Sequence, residues 1–298
     1  MSPDPASHTS APQVTAEVLT QSLPYIQRFA GRTVVIKFGG VPVSDPDAAR
    51  AIAGDVVLMH SVGIRPVIVH GGGPQIDDLM GRLGKEPAFV DGRRVTDAET
   101  LDIARMVLVG KVNRDITSAI NAIVPLAVGL SGEDAGLIRA APRDPALGYV
   151  GEVAAVNPGI VRNLQELGYI PVVSTIGADD AAQPYNINSD TVAGALAAAL
   201  SAERLVVLTD VAGLLADTDV PESVLSDVTA GELAGILARG GVEGGMIPKV
   251  EACLHAVRNG VGSAHLLDGT HPHVLLLELF TDAGVGTMIR PDPQGMDP

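Results

Sequence analysis

Two short segments of the chain combine a lysine or a histidine with consecutive glycines. Lys37-Phe38-Gly39-Gly40 and His70-Gly71-Gly72-Gly73 each follow three consecutive Val or Ile residues. Because glycine has no side chain, a phosphoryl group can come close to the backbone there, and consecutive N–H groups can donate to its oxygens. A lysine beside such a turn can neutralise charge on those oxygens. The segments predict a phosphate site formed at both strand ends, by Gly39 and Gly40 and by Gly71, Gly72 and Gly73.

Either glycine segment taken alone is explained equally well as a tight turn. Two such turns at the ends of neighbouring strands, one of them beside a lysine, favour the phosphate site. The known glycine-rich nucleotide motifs are absent from the sequence, because Gly84-Lys85 and Gly110-Lys111 lack the upstream glycine and the following hydroxyl of a P-loop. There is no G-x-G-x-x-G segment of the dinucleotide-binding type.

Three later segments place polar groups at the ends of predicted elements. Tyr185–Asp190 precedes an Ala-rich helix, where Ser189 or Asp190 could equally serve as a plain N-cap. Thr209–Gly213 follows an apolar strand. Lys249 follows a glycine loop at the start of a helix, where the helix dipole disfavours a cation, and this cost indicates a use for the lysine.

Alternating apolar strands and helices must position these segments. Strands are predicted at 33–38, 66–69, 127–130, 170–174, 205–208, 263–267 and 287–289. Helices are predicted at 15–29, 46–61, 74–83, 98–109, 112–123, 158–167, 191–200, 230–238, 247–259 and 273–280, the fourth and fifth being joined at Gly110, and 137–156 reads as a hairpin at the sheet margin. Continuous Val/Ile strands between helices indicate an α/β fold, a three-layer αβα sandwich around a mostly parallel sheet.

The chain divides into four predicted segments. Residues 1–14 are rich in Ser, Pro, Thr and Ala and are predicted to be disordered. Residues 15–30 form an amphipathic helix that needs a partner, bent or interrupted at Pro24. A soft boundary near 177–184 separates 31–180 from 181–298, and periodicity leaves open whether the second block is a separate domain or continues one sheet.

Composition limits the possible partners and the compartment. The net charge is −15 and no basic cluster occurs, which argues against nucleic acid and against an anionic membrane surface. No apolar run is long enough to span a membrane. The single cysteine, Cys253, lies in a helical pattern and is predicted to be a buried structural thiol rather than a nucleophile. These features predict a cytoplasmic protein.

Six segments together resemble the acetylglutamate kinases of the amino-acid kinase family, over residues 19–289. They are Lys37-x-Gly-Gly, His70-Gly-Gly-Gly-Pro, Gly92-Arg93-Arg94-Val95-Thr96, Tyr185-Asn-Ile-Asn-Ser-Asp190, Thr209-Asp-Val-Ala-Gly213 and Gly245-Met-Ile-Pro-Lys249. The resemblance implies the amino-acid kinase fold and ATP-dependent phosphorylation of the side-chain carboxylate of N-acetyl-L-glutamate, in arginine biosynthesis. It assigns the acyl amino acid to 31–180 and ATP, with Mg²⁺ bound to the nucleotide, to 181–298.

The resemblance also implies a role for individual residues. Lys37 and Lys249 would flank the transferring phosphoryl group, and Asp190 would orient both lysines. Positioning and charge stabilisation are what phosphoryl transfer requires. The remaining roles are substrate binding by Gly72, Gly73, Arg94 and Asn186, and nucleotide binding by Thr209, Asp210, Gly213 and Gly245. Without the resemblance, Arg94 reads as a solvated loop arginine.

The N-terminal helix and the segment 273–287 resemble the arginine-inhibited branch of the family. That likeness implies a homohexamer, a trimer of dimers interlaced by the helix, and feedback inhibition by L-arginine near His273 and Glu278. The alternative is that these two residues are ordinary surface positions on a helix. The segment Val41-Pro42-Val43 departs from the common family pattern.

Two other functions stay open at this point. A sibling kinase would act on aspartate, glutamate or an aminoadipyl carrier-protein derivative, although 92–96 and 185–190 favour acetylglutamate. A non-catalytic regulator would bind arginine or nucleotide without turnover. The presence of both lysines and Asp190 argues for the enzyme.

Overall fold

The computed structural model describes residues 11–39, 46–90, 93–217, 220, 223–281 and 284–293. The strands are β1 (Thr33–Phe38), β2 (Arg65–His70), β3 (Phe89–Val90), β4 (Arg93–Arg94), β5 (Ala127–Ser131), β6 (Ile138–Pro142), β7 (Val150–Val156), β8 (Ile170–Ser174), β9 (Ile176–Ala178), β10 (Pro184–Ile187), β11 (Arg204–Thr209), β12 (Asp227–Thr229), β13 (Ser263–Asp268) and β14 (Gly286–Arg290). The helices are α1 (Ala11–Phe29), α2 (Pro46–Ser61), α3 (Gly73–Arg82), α4 (Ala98–Arg105), α5 (Asn113–Asn121), α6 (Gly159–Glu166), α7 (Ser189–Ala199), α8 (Ala230–Ala238), α9 (Met246–Arg258) and α10 (Val274–Phe280). Gly40, Gly92 and the divergent 41–43 lie outside the described residues.

One eight-stranded sheet runs through the molecule in the order β12-β14-β13-β11-β1-β2-β8-β5. Neighbouring strands are parallel except β13 and β14. The strands of the second block join those of the first through β11 and β1, so one sheet spans both. The predicted α/β class with a mostly parallel sheet between helix layers is confirmed.

Each face of this sheet carries its own apolar core. Along β1, Val35 packs into a core that includes residues of α7 and α9, and Lys37, two residues further along the strand, lies on the same face. Ile36 and Phe38 face the opposite core, which includes residues of α2 and α5. Alternation along a strand therefore places the Lys37 side chain on the α7 face, at the carboxyl end of the central strand.

The predicted pair of helices joined at Gly110 is instead one continuous helical rod. Between α4 and α5 the chain forms a π-helix over Met106–Val112, which includes Gly110. A π turn holds more residues than an α turn, so the helix continues through Gly110, where the apolar periodicity of the sequence predicts a break. Val107, Leu108 and Val112 of this segment are buried.

The hairpin predicted at 137–156 has a different setting from the sheet margin. Strands β6 and β7 are antiparallel, and they close with β9 and β10 into a small four-stranded sheet. The turn between β9 and β10 occupies the segment in which the lobe boundary is predicted. Strands β9 and β10 are too short to show a periodic pattern in the sequence.

The N-terminal helix begins at Ala11, four residues before its predicted start, and it continues through Pro24 without interruption. Its residues Val18, Leu19 and Leu23 are exposed, whereas Phe29 is buried.

Cys253 is buried, as predicted, and burial raises the pKa of its thiol. Among the described residues, no helix is long and apolar enough to cross a membrane.

Close packing of α7 against α9 depends on Gly194. A Cβ atom built there would lie 2.8 Å from the carbonyl oxygen of Ala252. We expect Gly194→Ala to lower the free energy of unfolding by about 1–3 kcal/mol because the backbones would have to separate. The matched control is Gly54→Ala in α2, where a Cβ would contact nothing within 4 Å.

At Gly54 we expect alanine to be neutral or to stabilise by up to about 1 kcal/mol, since alanine favours helix. Urea unfolding of both variants measures the difference. Equal effects at the two positions would contradict the close approach of α7 and α9.

Candidate active site

A buried carboxylate joins the two predicted lysines. Asp190 Oδ1 lies 2.9 Å from Lys37 Nζ, and Asp190 Oδ2 lies 3.3 Å from Lys249 Nζ. The side chains of Lys37 and Asp190 are each 5% exposed, and that of Lys249 is 17% exposed. Burial lowers the pKa of Lys37, while the charge of Asp190 opposes this shift. The cluster brings residues from β1, α7 and α9 together and has a formal charge of +1.

The first turn of α7 leaves the Asp190 carboxylate available for the lysines. Neither Ser189 nor Asp190, the two candidates from the sequence, is the N-cap. Asn188 takes that role, because its Oδ1 accepts from the N–H groups of Asp190 at 2.8 Å and Thr191 at 3.1 Å. Asp190 lies in the first turn, where a negative charge is favourable.

The two glycine turns lie side by side at the same edge of the sheet. Strands β1 and β2 are parallel, with Phe38 opposite His70, and the N–H of Gly71 donates to the carbonyl of Phe38 at 3.2 Å. A Cβ atom on Gly39 would lie 2.7 Å from Lys37 Nζ, and one on Gly71 would lie 2.9 Å from Ser189 Oγ. At both glycines, therefore, a larger residue would displace a polar side chain of the site, Lys37 or Ser189.

A cavity of about 220 Å³ brings the four predicted substrate residues together. Its walls include the N-termini of α3 and α7, which favour anions. The lining residues are Gly71, Gly72, Gly73, Ile76, Phe89, Arg94, Leu108, Arg143, Val150, Gly151, Thr175, Asn186, Ile187, Asn188, Ser189 and Thr191. Two arginines and no acidic residue belong to this described lining, so the cavity suits an anionic ligand.

Arg94 is held in place rather than solvated. Its Nη1 lies 2.5 Å from Asp77 Oδ1, its Nη2 donates to the carbonyl of Gly73 at 3.4 Å, and its guanidinium lies 4.8 Å from the centre of the Phe89 ring. The side chain is 9% exposed. A guanidinium fixed beside the glycine turn has a geometry suited to a carboxylate.

The glycine turn offers backbone donors to the cavity. No hydrogen-bond acceptor for the N–H groups of Gly72 or Gly73 is found in the described part of the protein. Gly73 is the first residue of α3, and the N–H groups of a first turn have no acceptor within the helix. Free N–H groups at a helix start are donors for a bound oxyanion.

Arg143 is a cavity residue that sequence reasoning missed. It follows β6 and pairs with Glu152 at 3.3 Å. An arginine in a hairpin carries no pattern that separates it from a solvated residue, so no sequence signal identifies it. Its place in the cavity depends on the closure of the small sheet.

The predicted nucleotide residues lie at the end of β11, in the segment that follows it, and at the start of α9. Thr209 ends β11, the strand next to β1, and Asp210 after it is exposed. Gly213 has φ +153°, and a Cβ there would meet Thr287 Oγ1 at 2.7 Å. Gly245 is the N-cap of α9, the helix that carries Lys249.

His273 and Glu278, the predicted arginine residues, contact different partners. His273 Nδ1 lies 2.6 Å from Oδ1 of the buried Asp55 in α2. Glu278 lies 2.7 Å from His265 Nδ1 and accepts from the N–H of Val285 at 3.1 Å. Burial pushes the pKa of Glu278 up, but the hydrogen bond and charge of His265 outweigh it, so the pKa is lowered.

A larger cavity of about 880 Å³ lies on the opposite face of the sheet, between α2 and α5. Ile36, Phe38 and Ile68 line it together with mainly apolar helix residues. It contains none of the predicted catalytic or substrate residues. The small polar cavity is therefore the candidate active site.

Comparison with known proteins decides the family. The model of the amino acid kinase family matches residues 32–268. The chain belongs to the amino acid kinase family. This match ends before α10, so it does not include His273 or Glu278.

Relatives within the amino acid kinase family agree with the resemblance stated from the sequence. An acetylglutamate kinase of Symbiobacterium thermophilum is 54% identical over 283 residues, covering 92% of this chain and 97% of the relative. One from Moorella thermoacetica is 49% identical over 294 residues, covering 95% and 99%. The predicted likeness to acetylglutamate kinases is confirmed.

Solved structures of more distant proteins share the fold. N-acetylglutamate synthase from Neisseria gonorrhoeae, complexed with coenzyme A and N-acetyl-glutamate, has a TM-score of 0.82 at 24% identity; the match covers 93% of this chain and 64% of that longer one. Carbamate kinase from Giardia lamblia bound to AMP-PNP has a TM-score of 0.68 at 19% identity, covering 89% and 100%.

Because Lys37 is buried, the free energy of unfolding should depend on pH. Its pKa is lowered from the ordinary 10.5, so between the folded and unfolded values the unfolded chain binds more protons than the folded protein. The free energy of unfolding should therefore rise with pH through the window below 10.5, by at most about 1.4 kcal/mol per pH unit for one proton. In Lys37→Met this contribution is lost.

Urea unfolding at several pH values from neutrality to pH 10 or so, for the wild type and Lys37→Met, measures the difference in slope. Lys111→Met, at an exposed lysine, should keep the wild-type slope. Equal slopes for wild type and Lys37→Met would show that Lys37 titrates as a solvated lysine.

Proposed function

We propose that the protein transfers the γ-phosphoryl group of ATP to the side-chain carboxylate of N-acetyl-L-glutamate, giving N-acetyl-L-glutamyl 5-phosphate for arginine biosynthesis. The observation that carries the proposal is the bridge from Lys37 through Asp190 to Lys249, beside two glycine turns. Relatives named acetylglutamate kinase at about half identity support the choice of substrate. The reaction takes place in the cytoplasm in this proposal.

The two lysines supply the charge that phosphoryl transfer needs. As charge develops on the equatorial and bridging oxygens, Lys37 and Lys249 neutralise it from fixed positions. Asp190 holds both ammonium groups and thereby limits the reorganisation required during transfer. Gly39 and Gly40 let the phosphoryl group approach the backbone beside Lys37.

The acyl amino acid occupies the small cavity. The Arg94 guanidinium binds the α-carboxylate with parallel donors, and Asn186 binds the acetamido or carboxylate end. The N–H groups of Gly72 and Gly73 donate to oxygens of the reacting carboxylate. A volume of about 220 Å³ is below the roughly 300–1,000 Å³ of pockets for drug-sized ligands, which suits a small substrate.

ATP binds along the C-terminal half of the sheet edge, at Thr209, Asp210, Gly213 and Gly245. The ammonium groups of Lys37 and Lys249 fit the phosphates. Mg²⁺ arrives with the nucleotide and supplies further charge neutralisation there. The described residues contain no group of three His, Cys, Asp or Glu suited to a metal, and Mg²⁺ would be held through the nucleotide in this proposal.

ADP formation tests the substrate. The wild-type protein with ATP and Mg²⁺ should release ADP when N-acetyl-L-glutamate is added, and much less with glutamate, aspartate or an aminoadipyl carrier-protein derivative. Turnover of free glutamate without the N-acetyl form would assign the chain to a sibling kinase. Binding of ATP without turnover of any acid would favour a non-catalytic regulator.

We also propose that L-arginine inhibits the enzyme and that α1 joins dimers into a homohexamer. The exposed Val18, Leu19 and Leu23 of α1 support a covering partner of the same chain. Glu278 supplies a half-buried carboxylate close to the end of α1, since it pairs with His265, and Arg204 links His265 to the Phe29 ring. In this proposal His273 contributes to the arginine site, where its contact with Asp55 of α2 holds its ring in place.

An arginine titration tests the regulatory proposal. Millimolar L-arginine should lower the rate of ADP formation, and Glu278→Gln should raise the half-inhibitory concentration at least about ten-fold, comparable to losing a charged hydrogen bond. Each rate is compared with the same variant's rate without arginine. Asp115→Asn, at an exposed carboxylate, should keep the wild-type titration. Absence of inhibition in the wild type would refute the proposal.

A further inference from the structure

His70 directly precedes the second glycine turn and is completely buried at the end of β2. Its Nδ1 lies 2.9 Å from the carbonyl oxygen of Gly71, the first residue of the turn. A carbonyl can only accept, so Nδ1 carries the proton. Burial lowers the pKa of the ring to about 4, and the imidazole is therefore neutral near pH 7.

Asn113 determines which ring nitrogen carries that proton. Its Nδ2 lies 2.9 Å from the carbonyl oxygen of Val172 and 3.1 Å from His70 Nε2. Its Oδ1 accepts from the guanidinium of Arg114. The amide nitrogen must face both the carbonyl and the ring, so it donates to Nε2 and leaves Nδ1 as the protonated nitrogen.

The π-helix places these groups around the glycine turn. Asn113 follows the π segment directly. Leu108 and Val112 of the same segment lie so close that a Cβ on Gly72 would be 2.8 Å and 3.1 Å from their methyl carbons. One helical segment thus packs against the turn and also fixes the histidine beside it.

The hydrogen bond from His70 determines the orientation of the next peptide group. In a trans peptide the C=O of one residue and the N–H of the next point in opposite directions, and no cis peptide occurs in the described chain. With the Gly71 carbonyl held by the ring, the Gly72 N–H must point away from His70. A peptide between two glycines has little steric resistance to rotation, so it needs such a restraint.

We propose that His70, with its tautomer set by Asn113, is a positioning residue that prevents the Gly71–Gly72 peptide from flipping. In the flipped form the Gly71 carbonyl, instead of the Gly72 N–H, would face the bound carboxylate, and an acceptor would replace a donor. This inference rests on the proposed function, because it assigns the Gly72 N–H to the acyl substrate. Neither His70 nor Asn113 contacts the reacting atoms.

Steady-state kinetics of three variants test the proposal. His70→Leu and Asn113→Ala should each lower kcat/KM for N-acetyl-L-glutamate, the former by about 10²-fold or more as expected for one lost preorganised donor, with KM for ATP within about three-fold. His70→Asn should recover to within about ten-fold of wild type, since its amide nitrogen can take the place of Nδ1 and donate to Gly71.

Gln165→Ala is the matched control for a purely structural effect. Gln165 is also a buried amide, and it donates to the carbonyl of Arg65 at the other end of β2. It should lower thermal stability while keeping kcat/KM for N-acetyl-L-glutamate close to that of the wild type. A kcat/KM for N-acetyl-L-glutamate close to that of the wild type in a folded His70→Leu protein, or no recovery in His70→Asn, would overturn the proposal.

The ring itself provides a measurement that needs neither catalysis nor a folded variant at His70. Nitrogen-15 NMR of the wild type, with the His70 ring assigned through its bonds to the His70 backbone and so distinguished from the buried His265, should show His70 protonated at Nδ1, bare at Nε2 and unchanged from pH 5.5 to 8, well above its pKa of about 4. A ring protonated at Nε2, or one that titrates in this range, would refute the positioning role. Failure of wild-type turnover would instead refute the proposed function.

Discussion

The buried ion pair of Lys37 with Asp190 is the interaction on which the rest of the site depends. Removing these charges from water is costly, and a partner at 2.9 Å offsets the cost only if both side chains are held in place. Three elements provide that restraint: the central strand β1, the first turn of α7 and the first turn of α9. Their mutual packing is therefore a condition for the chemistry as well as for stability.

The tight approach of backbones explains why glycine occurs where it does. At Gly39, Gly71 and Gly194 a Cβ atom would press against the lysine, against α7 or against α9. These are the positions at which β1, β2, α7 and α9 converge. The same convergence exposes helix N-termini and free N–H groups toward one cavity, whose described lining contains two arginines and no acidic residue although the protein is acidic overall.

Much of the fold and the core of the site could be predicted because they depend on local pattern. Continuous Val/Ile runs identify β1 and β2, and helix α2 is predicted with its observed bounds. Lys37 is identified at a strand end and Lys249 at a helix start, whereas the role of Asp190 comes from the family resemblance. The structure brings them together. Arg94 and Asn186 likewise meet in one cavity, although their binding roles stay predictions.

The rest depends on tertiary structure that periodicity does not encode. The apolar pattern of the sequence predicts a break at Gly110, because an α-helix of normal pitch would not keep the same face buried through the π segment. Asn188 is the N-cap because the helix already begins at Ser189, which places Ser189 and Asp190 inside its first turn. Arg143 enters the cavity only when β6 and β7 close with β9 and β10.

The turnover number of lysine variants tests the central claim most directly. Lys37→Ala and Lys249→Ala should each lower kcat for ADP formation from ATP and N-acetyl-L-glutamate by about 10²-fold or more, because each removes one preorganised cation. Lys111→Ala, at an exposed lysine paired with Asp115 at 3.0 Å, should turn over normally. A near-normal kcat in a folded Lys37→Ala or Lys249→Ala protein would contradict the account.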